Sequence, residues 1–358
     1  MREPRKSVRE GSWGVRTNGR SVRSRRGASR RGHGIELGVL TVFLVAGCIG
    51  ESGEGGVIDL SFGHVGAPGS LFAVSAEEFA RRANAELAGR AQVNVFGSSQ
   101  LGGDEVMLQK LKLGTLDFAL PSTIMSSTVE AFGLFEMPYL VQDRAHMRRI
   151  EEEIVWPVLV PQAEERGYRI LAVWENGFRH VTNSTRPVVR PSDLSGIKLR
   201  TPRGIWRVKL FQAFGANPSP MPLSEVFVAL QTGVMDGQEN PLAQIYASKF
   251  QEVQTYLSLT GHVYTPAYVT VGASWDRLPE DVRATLQRIA AESQSFVHET
   301  AAQMDADFLD QLREAGVEVN EADREAFLRA SAEIFEEFGN TVEGGEALLD
   351  QALALEGR

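Results

Sequence analysis

Along the middle of the chain, apolar residues switch repeatedly between a two-residue period and a three-to-four-residue period. Residues 57–65, VIDLSFGHV, alternate as a strand does, and SLFAVSAEEFARRANAEL (70–87) repeats apolar positions at helical spacing. The switch recurs in AQVNVFG, a second strand, in GDEVMLQKLKLG, a helix closed by Gly114, and in LDFAL, a third strand. Strands and helices in alternation predict a largely parallel sheet with crossover helices, an α/β fold. RILAVWENG (169–177) reads as another buried strand. A second series follows it: GIKLRT as a strand, a helix from about Gly204 to Phe214, NPSPMP, and a helix across SEVFVALQTG.

The last third reads as helical. From Pro279 to about Ala315, apolar residues recur at Val282, Leu286, Ile289, Phe296, Val297, Met304, Phe308 and Leu312. Pro279 suits a first turn and Gly316 a stop. Such a helix is about 55 Å long at about 1.5 Å per residue. That exceeds one small lobe, so the helix must bend or lie across two.

The first 34 residues show no such periodicity and are rich in Arg, Gly and Ser. A short apolar run, Leu37 to Ala46, follows and ends in VAGC at Cys48. It is too short to span a bilayer, which takes about 20 apolar residues. Basic stretch, short apolar core and small residues together predict an export signal over 1–47. Cys48 is the chain's single cysteine, and Val45-Ala46-Gly47-Cys48 resembles a lipobox. The expectation is a periplasmic protein lipidated at Cys48 and tethered to a membrane by the Gly/Glu stretch of 48–56.

Removing the signal changes the charge. The whole chain has a net charge of -9, with 37 Lys/Arg against 46 Asp/Glu; residues 1–47 hold 11 of the former and 3 of the latter. The remainder, with 26 basic and 43 acidic residues, would repel nucleic acid and anionic bilayers. Against that background, RPVVRPSDLSGIKLRTPRG (186–204) gathers four Arg and one Lys around a single acid, Asp193. A small anion held in a pocket is the partner such local charge fits.

Catalytic patterns are absent. None of the six His falls into HExxH or another zinc spacing, and neither a GxSxG elbow nor a GxxxxGK[ST] loop is present, so neither metal nor cofactor is expected. MDGQEN (235–240) carries two acids, but Asp236 and Glu239 read as loop ties and caps.

GFRHVTNSTRPVVRPSDLSGIKLRTP, followed by FGANPSPMPLSEVFVALQTGVMDGQENP, resembles the periplasmic solute receptors of TRAP transporters, the DctP family. SSQLGGDEVMLQKLKLGTLDF and MPYL extend the resemblance to roughly residues 57–340. It implies a two-lobed periplasmic-binding-protein-like clamp with hinge strands and a long helix crossing both lobes. Residues 57–176 with 266–305 would form lobe I, and 177–265 with 306–350 lobe II. The implied function is to bind a small organic acid and hand it to the small and large subunits of a membrane permease. The receptor is expected to be a monomer and not an enzyme.

The family's motifs place Arg200 (KLRTP) on the ligand carboxylate, with Arg179 (GFR) and Asn240 (QEN) assisting. Asp104 and Gln100 lie where the first lobe supplies contacts, and Ser122 matches another site position. Trp174 either stacks on the ligand or belongs to the core. Strand alternation agrees for Arg200, since Ile197, Leu199 and Thr201 share the other face. A guanidinium fork also suits a planar carboxylate. Arg186, Arg190 and Arg203 are expected as solvated loop charges. The family's sialate-binding branch carries Asn, Glu and Phe where this chain has Val65, Ser122 and Leu223, so an acid other than sialate is implied. FRHVTNS and GANPSPMP resemble branches for sugar acids or small hydroxy and keto acids, and a C4-dicarboxylate stays open. Two other classes remain: an enzyme on a similar frame, which needs a base near the cleft, and a module presenting ligand to a signalling receptor.

Overall fold

A computed structural model describes residues 56–357. The export signal, Cys48 and all but the end of the tether lie outside them. Eleven strands run in chain order: β1 (Ile58–Gly63), β2 (Ala91–Phe96), β3 (Phe118–Ala119), β4 (Arg169–Phe178), β5 (His180–Asn183), β6 (Lys198–Thr201), β7 (Asn217–Pro220), β8 (Gly237–Asn240), β9 (Tyr256–Leu259), β10 (Tyr264–Val271) and β11 (Glu318–Glu321). They form two sheets, ordered β2-β1-β3-β10-β4 and β11-β9-β5-β8-β6-β7.

The parallel pairs predicted by the alternating pattern are present: β1 with β2 and β3, and β6 with β7 and β8. Each sheet also has antiparallel members, β10 against β3 and β4, and β5 against β8 and β9. These make both sheets mixed. LDFAL contributes only the two residues of β3. NPSP forms β7 despite its two prolines because it sits at the sheet edge, where missing donors face no neighbour.

The chain changes sheets directly at two adjacent crossings, and a third time between β10 and β11. β4 passes into β5 through Arg179, and β9 passes into β10 through residues 260–263. They are tied together where the Arg179 N–H donates to the Val263 carbonyl at 2.9 Å. Gly177, at φ +117°, lies just before the first crossing, in a conformation side-chain-bearing residues rarely adopt.

The helix Leu71–Glu86 starts where the Ser70 hydroxyl accepts from the Ala73 N–H at 3.3 Å. The helix Asp104–Leu113 ends at Gly114 in the left-handed region, φ 67°, the usual glycine stop. The predicted long helix runs from Glu280 to Glu314, 35 residues, after Pro279. It packs Val282, Leu286, Ile289 and Val297 into the core of the first sheet, around Phe62, Phe79 and Phe118. Its far end buries Leu312 in the core of the second, with Val226, Ile245 and Leu257. One helix therefore serves both sheets.

The tail is divided differently from the sequence reading of 306–350 as lobe II. β11 pairs with β9 in the second sheet, a strand within the third expected to be helical. The final helix, Gly345–Ala354, packs instead on the first-sheet side. There the His146 ring bonds the Ala352 carbonyl at 2.9 Å and Arg149 donates to that of Leu355 at 2.8 Å. Lys209, on the helix Ile205–Ala213, pairs with Glu337 of the preceding tail helix. The tail thus straps the two halves behind the crossings.

Candidate functional site

Between the halves lies a cavity of about 250 Å³. The first-sheet half lines it with Val65, Phe72, Asp104, Glu105, Ser122, Thr123, Ile124 and Asn176; the second half contributes Arg179, Arg200, Arg203, Met221, Leu223, Glu225, Asn240 and Gln244. The wall combines apolar with hydrogen-bonding side chains, as in sites for small polar molecules.

Arg200 sits on β6 with Leu199 and Thr201 fully buried beside it, so strand alternation turns its side chain to the cavity face. Only 4% of the residue is exposed. Its Nε and Nη2 both donate to the Met221 carbonyl, at 2.9 and 2.6 Å, and no carboxylate among the described residues pairs with it. Burial pushes its guanidinium down to about 9, although the charges of Glu239 and Asp104 oppose the shift. A buried cation without a counter-charge is costly, and an incoming anion relieves that cost.

Arg179 is equally buried but already neutralised. Its Nε meets Glu239 Oε2 at 2.5 Å, and its Nη2 donates to Glu239 Oε1 and to Asn240 Oδ1, each at 3.0 Å. Arg207 reaches the same Glu239 oxygen at 2.7 Å and Glu136 at 2.9 Å, while the His262 ring bonds it at 3.1 Å. Burial alone would raise the Glu239 carboxyl, but Arg179 and Arg207 outweigh it and hold it well below the usual carboxylate range. Glu239 is thus the hub of a buried network, beyond the loop tie read from MDGQEN. Glu136 and Arg207 carry no motif, and sequence reasoning missed both. The available hint was an Arg inside IWRVKLFQA, a segment otherwise reading as core.

The amide and hydroxyl groups are mutually braced. Asn176 Nδ2 donates to Ser122 Oγ at 3.2 Å and to Thr265 Oγ1 at 3.1 Å, while Ser122 donates to the Pro266 carbonyl at 2.6 Å. Asp104 Oδ1 and Thr123 Oγ1 are buried with no hydrogen-bond partner.

The residues chosen from sequence divide accordingly. Arg200, Arg179, Asn240, Asp104 and Ser122 come together on this one cavity. Gln100 does not: it is exposed in the turn after β2, outside the lining. Trp174 is core, not a stacking platform. It is 1% exposed, packs against Phe62 and Phe79, and donates its indole N–H to the Ala290 carbonyl at 3.0 Å. Arg186 is tied to the Asp193 and Ser195 carbonyls, and Arg190 is solvated. Arg203 departs from expectation, lining the cavity and pairing with Glu105 of the other half at 3.1 Å.

Bacterial extracellular solute-binding protein, family 7 (DctP) is the family whose model matches, over residues 62–341. The chain belongs to this family. An uncharacterized protein of Sinorhizobium fredii is 39% identical over 281 residues, which are 77% of this chain and 52% of that one; the chain spans about half the length of that relative. The 2,3-diketo-L-gulonate-binding periplasmic protein YiaO of Escherichia coli is 34% identical over 75% of this chain and 83% of its own. The crystal structure of the sugar acid binding protein DctPAm from Advenella mimigardefordensis in complex with galactonate matches with a TM-score of 0.81 at 33% identity. It covers 84% of this chain and 99% of that one. The DctP fold is thus a two-lobed α/β clamp here too. Val65, Ser122 and Leu223, the positions that depart from the sialate branch, all line the cavity. Among the described residues no helix is long and apolar enough to cross a membrane, and no His/Cys/Asp/Glu group is placed to hold a metal.

Proposed function

We propose that the protein is the extracytoplasmic receptor of a TRAP transporter, binding a small hydroxylated organic acid and delivering it to the membrane permease without altering it. The observation that carries this reading is Arg200, buried on the cavity wall with its charge unmatched. The ligand carboxylate takes the free edge of its guanidinium. Asn240, Asn176 and Ser122, already braced by neighbours, offer hydrogen bonds to hydroxyls, while Arg179, neutralised by Glu239, shapes the cavity more than it charges it. The sugar-acid ligands of the relatives YiaO and DctPAm support this choice of class.

The test is a thermal-shift and calorimetric screen of sugar acids, hydroxy acids and dicarboxylates, with mass spectrometry of the acid recovered afterwards. One class should raise the melting temperature with mass-action dependence, by about 2.7 kcal/mol at roughly a hundred times the dissociation constant. The acid should return unchanged; turnover by the pure protein would support the enzyme reading instead.

Lipidation of Cys48 belongs to the same proposal. The native protein should partition into detergent, and Cys48→Ser should be recovered in the soluble periplasmic fraction. Wild-type protein found unmodified and freely soluble rules the anchor out.

A further inference from the structure

We infer that Asp104 sets the class of acid this receptor accepts, favouring one whose remainder carries hydroxyl donors and turning away one with a second carboxylate. The inference rests on the receptor reading above and deepens it.

Two charged groups enter the cavity from opposite halves and neither is paired with an opposite charge. Arg200 arrives on β6 with only the Met221 carbonyl beside it. Asp104, first residue of the helix Asp104–Leu113, has a fully buried Oδ1 that accepts from nothing. The two do not pair with each other, yet each bears on the other's charge. A molecule filling the space must therefore accept from the guanidinium and donate to the carboxylate. A hydroxy acid does both. A dicarboxylate satisfies Arg200 and then sets its second anion against the Asp104 carboxylate, whose Oδ1 is buried, and like charges at that distance repel.

The other charged groups facing Asp104 do not supply a second free cation. Glu105 follows it on its own helix and is matched by Arg203, which comes from beyond β6. Glu225, on the helix Leu223–Gln231, adds negative charge to the wall. Arg179 is taken by Glu239. Burial raises the Asp104 carboxyl to about 7, with Arg200 opposing the shift and Glu105 adding to it. The barrier to a second carboxylate should therefore weaken as Asp104 gains a proton: neutral, it becomes a donor to that carboxylate. A hydroxyl serves either form, because it both donates and accepts.

Matched pairs of acids isolate this effect: galactonate against galactarate, and gluconate against glucarate, where the second acid differs by one terminal carboxylate. Succinate extends the series. Calorimetry at about pH 8, where Asp104 is mostly ionised, on wild type and Asp104→Asn should show wild type preferring the monocarboxylate of each pair by about tenfold. Asp104→Asn should reduce that preference by about tenfold or more, while melting cooperatively. In wild type, dicarboxylate affinity should rise from about pH 8 to about pH 6, and Asp104→Asn should stay flat over the same range. If the acids bind and Asp104→Asn keeps the wild-type preference within about threefold, the inference falls and the receptor reading stands. A wild-type preference for the dicarboxylates also overturns it. If no acid binds wild type, both fall together.

Discussion

Arg200 gives two of its N–H groups to a single acceptor, the Met221 carbonyl, at 2.9 and 2.6 Å. Met221 lies just past β7, which pairs with β6, so the strand pairing itself aims the guanidinium and leaves its other edge to the cavity. Removing one partner of a buried charge pair costs about 2–5 kcal/mol, or roughly 30- to 5,000-fold in affinity. Arg200→Ala should lose that much binding with little change in melting temperature of the ligand-free protein, since the buried charge it removes was unmatched. Arg200→Lys keeps the charge but not the fork and should recover only part. Calorimetry against one acid at fixed salt measures both, and an Arg200→Ala that binds like wild type would falsify the assignment.

Glu239 predicts the opposite division between binding and folding. Its carboxylate takes Arg179, Arg207 and His262 at once with no exposure of its side chain. Glu239→Gln leaves the buried Arg179 without a counter-ion and Arg207 with Glu136 alone, so unfolding in urea should show a loss of about 3–5 kcal/mol. The pH dependence follows from its depressed pKa. Stability from this group is full above the unfolded carboxyl's value, about 4.3, and is lost only as pH falls below it. A variant as stable as wild type at neutral pH would show that the network is not holding the crossings.

These two residues mark what the sequence could and could not disclose. Arg200 was legible because strand alternation assigns a face from local pattern alone, and because its motif fits a carboxylate. The long helix was legible from periodicity, to within a residue at either end. Glu136 and Arg207 were not legible. They are distant in sequence, and only packing shows that an Arg in an apolar helix is buried against two acids. Trp174 was ambiguous for the same reason: a strand pattern says buried, but not whether a neighbour is ligand or Phe62. The antiparallel strands β5, β9 and β10 were missed because pairing direction depends on where the chain crosses between sheets.

Histidines govern the acid side above that carboxylate range. His64 is 1% exposed, its Nδ1 lacks a partner, and burial lowers it to about 4. His262 is also lowered to about 4, burial outweighing the pull of Glu239. In this window the unfolded chain binds protons at these two histidines that the folded chain does not, so their contribution falls as pH drops from about 6.5 toward 4, while Asp104, raised to about 7, offsets part of the slope. Each such histidine contributes up to about 1.4 kcal/mol per pH unit. Urea midpoints across this range should slope accordingly, and His64→Gln should flatten the slope whatever it does to absolute stability. An unchanged slope in the variant would mean that His64 titrates normally when folded.

The Arg203–Glu105 pair joins the two halves at the edge of the cavity, and its side chains are 53% and 46% exposed. Exposed pairs are worth about 0.2–1 kcal/mol, so Arg203→Ala should weaken ligand binding by no more than about fivefold. That loss should shrink in about 1 M salt, where screening acts within about 3 Å. A double-mutant cycle with Glu105→Ala should assign most of the loss to the pair. Arg190, 70% exposed and 3.9 Å from Asp323, should change nothing when replaced by Ala. The expected order is therefore Arg200 far above Arg203, and Arg203 above Arg190. An Arg203→Ala as damaging as Arg200→Ala, and insensitive to salt, would move the anion clamp from the strand to the loop beyond it.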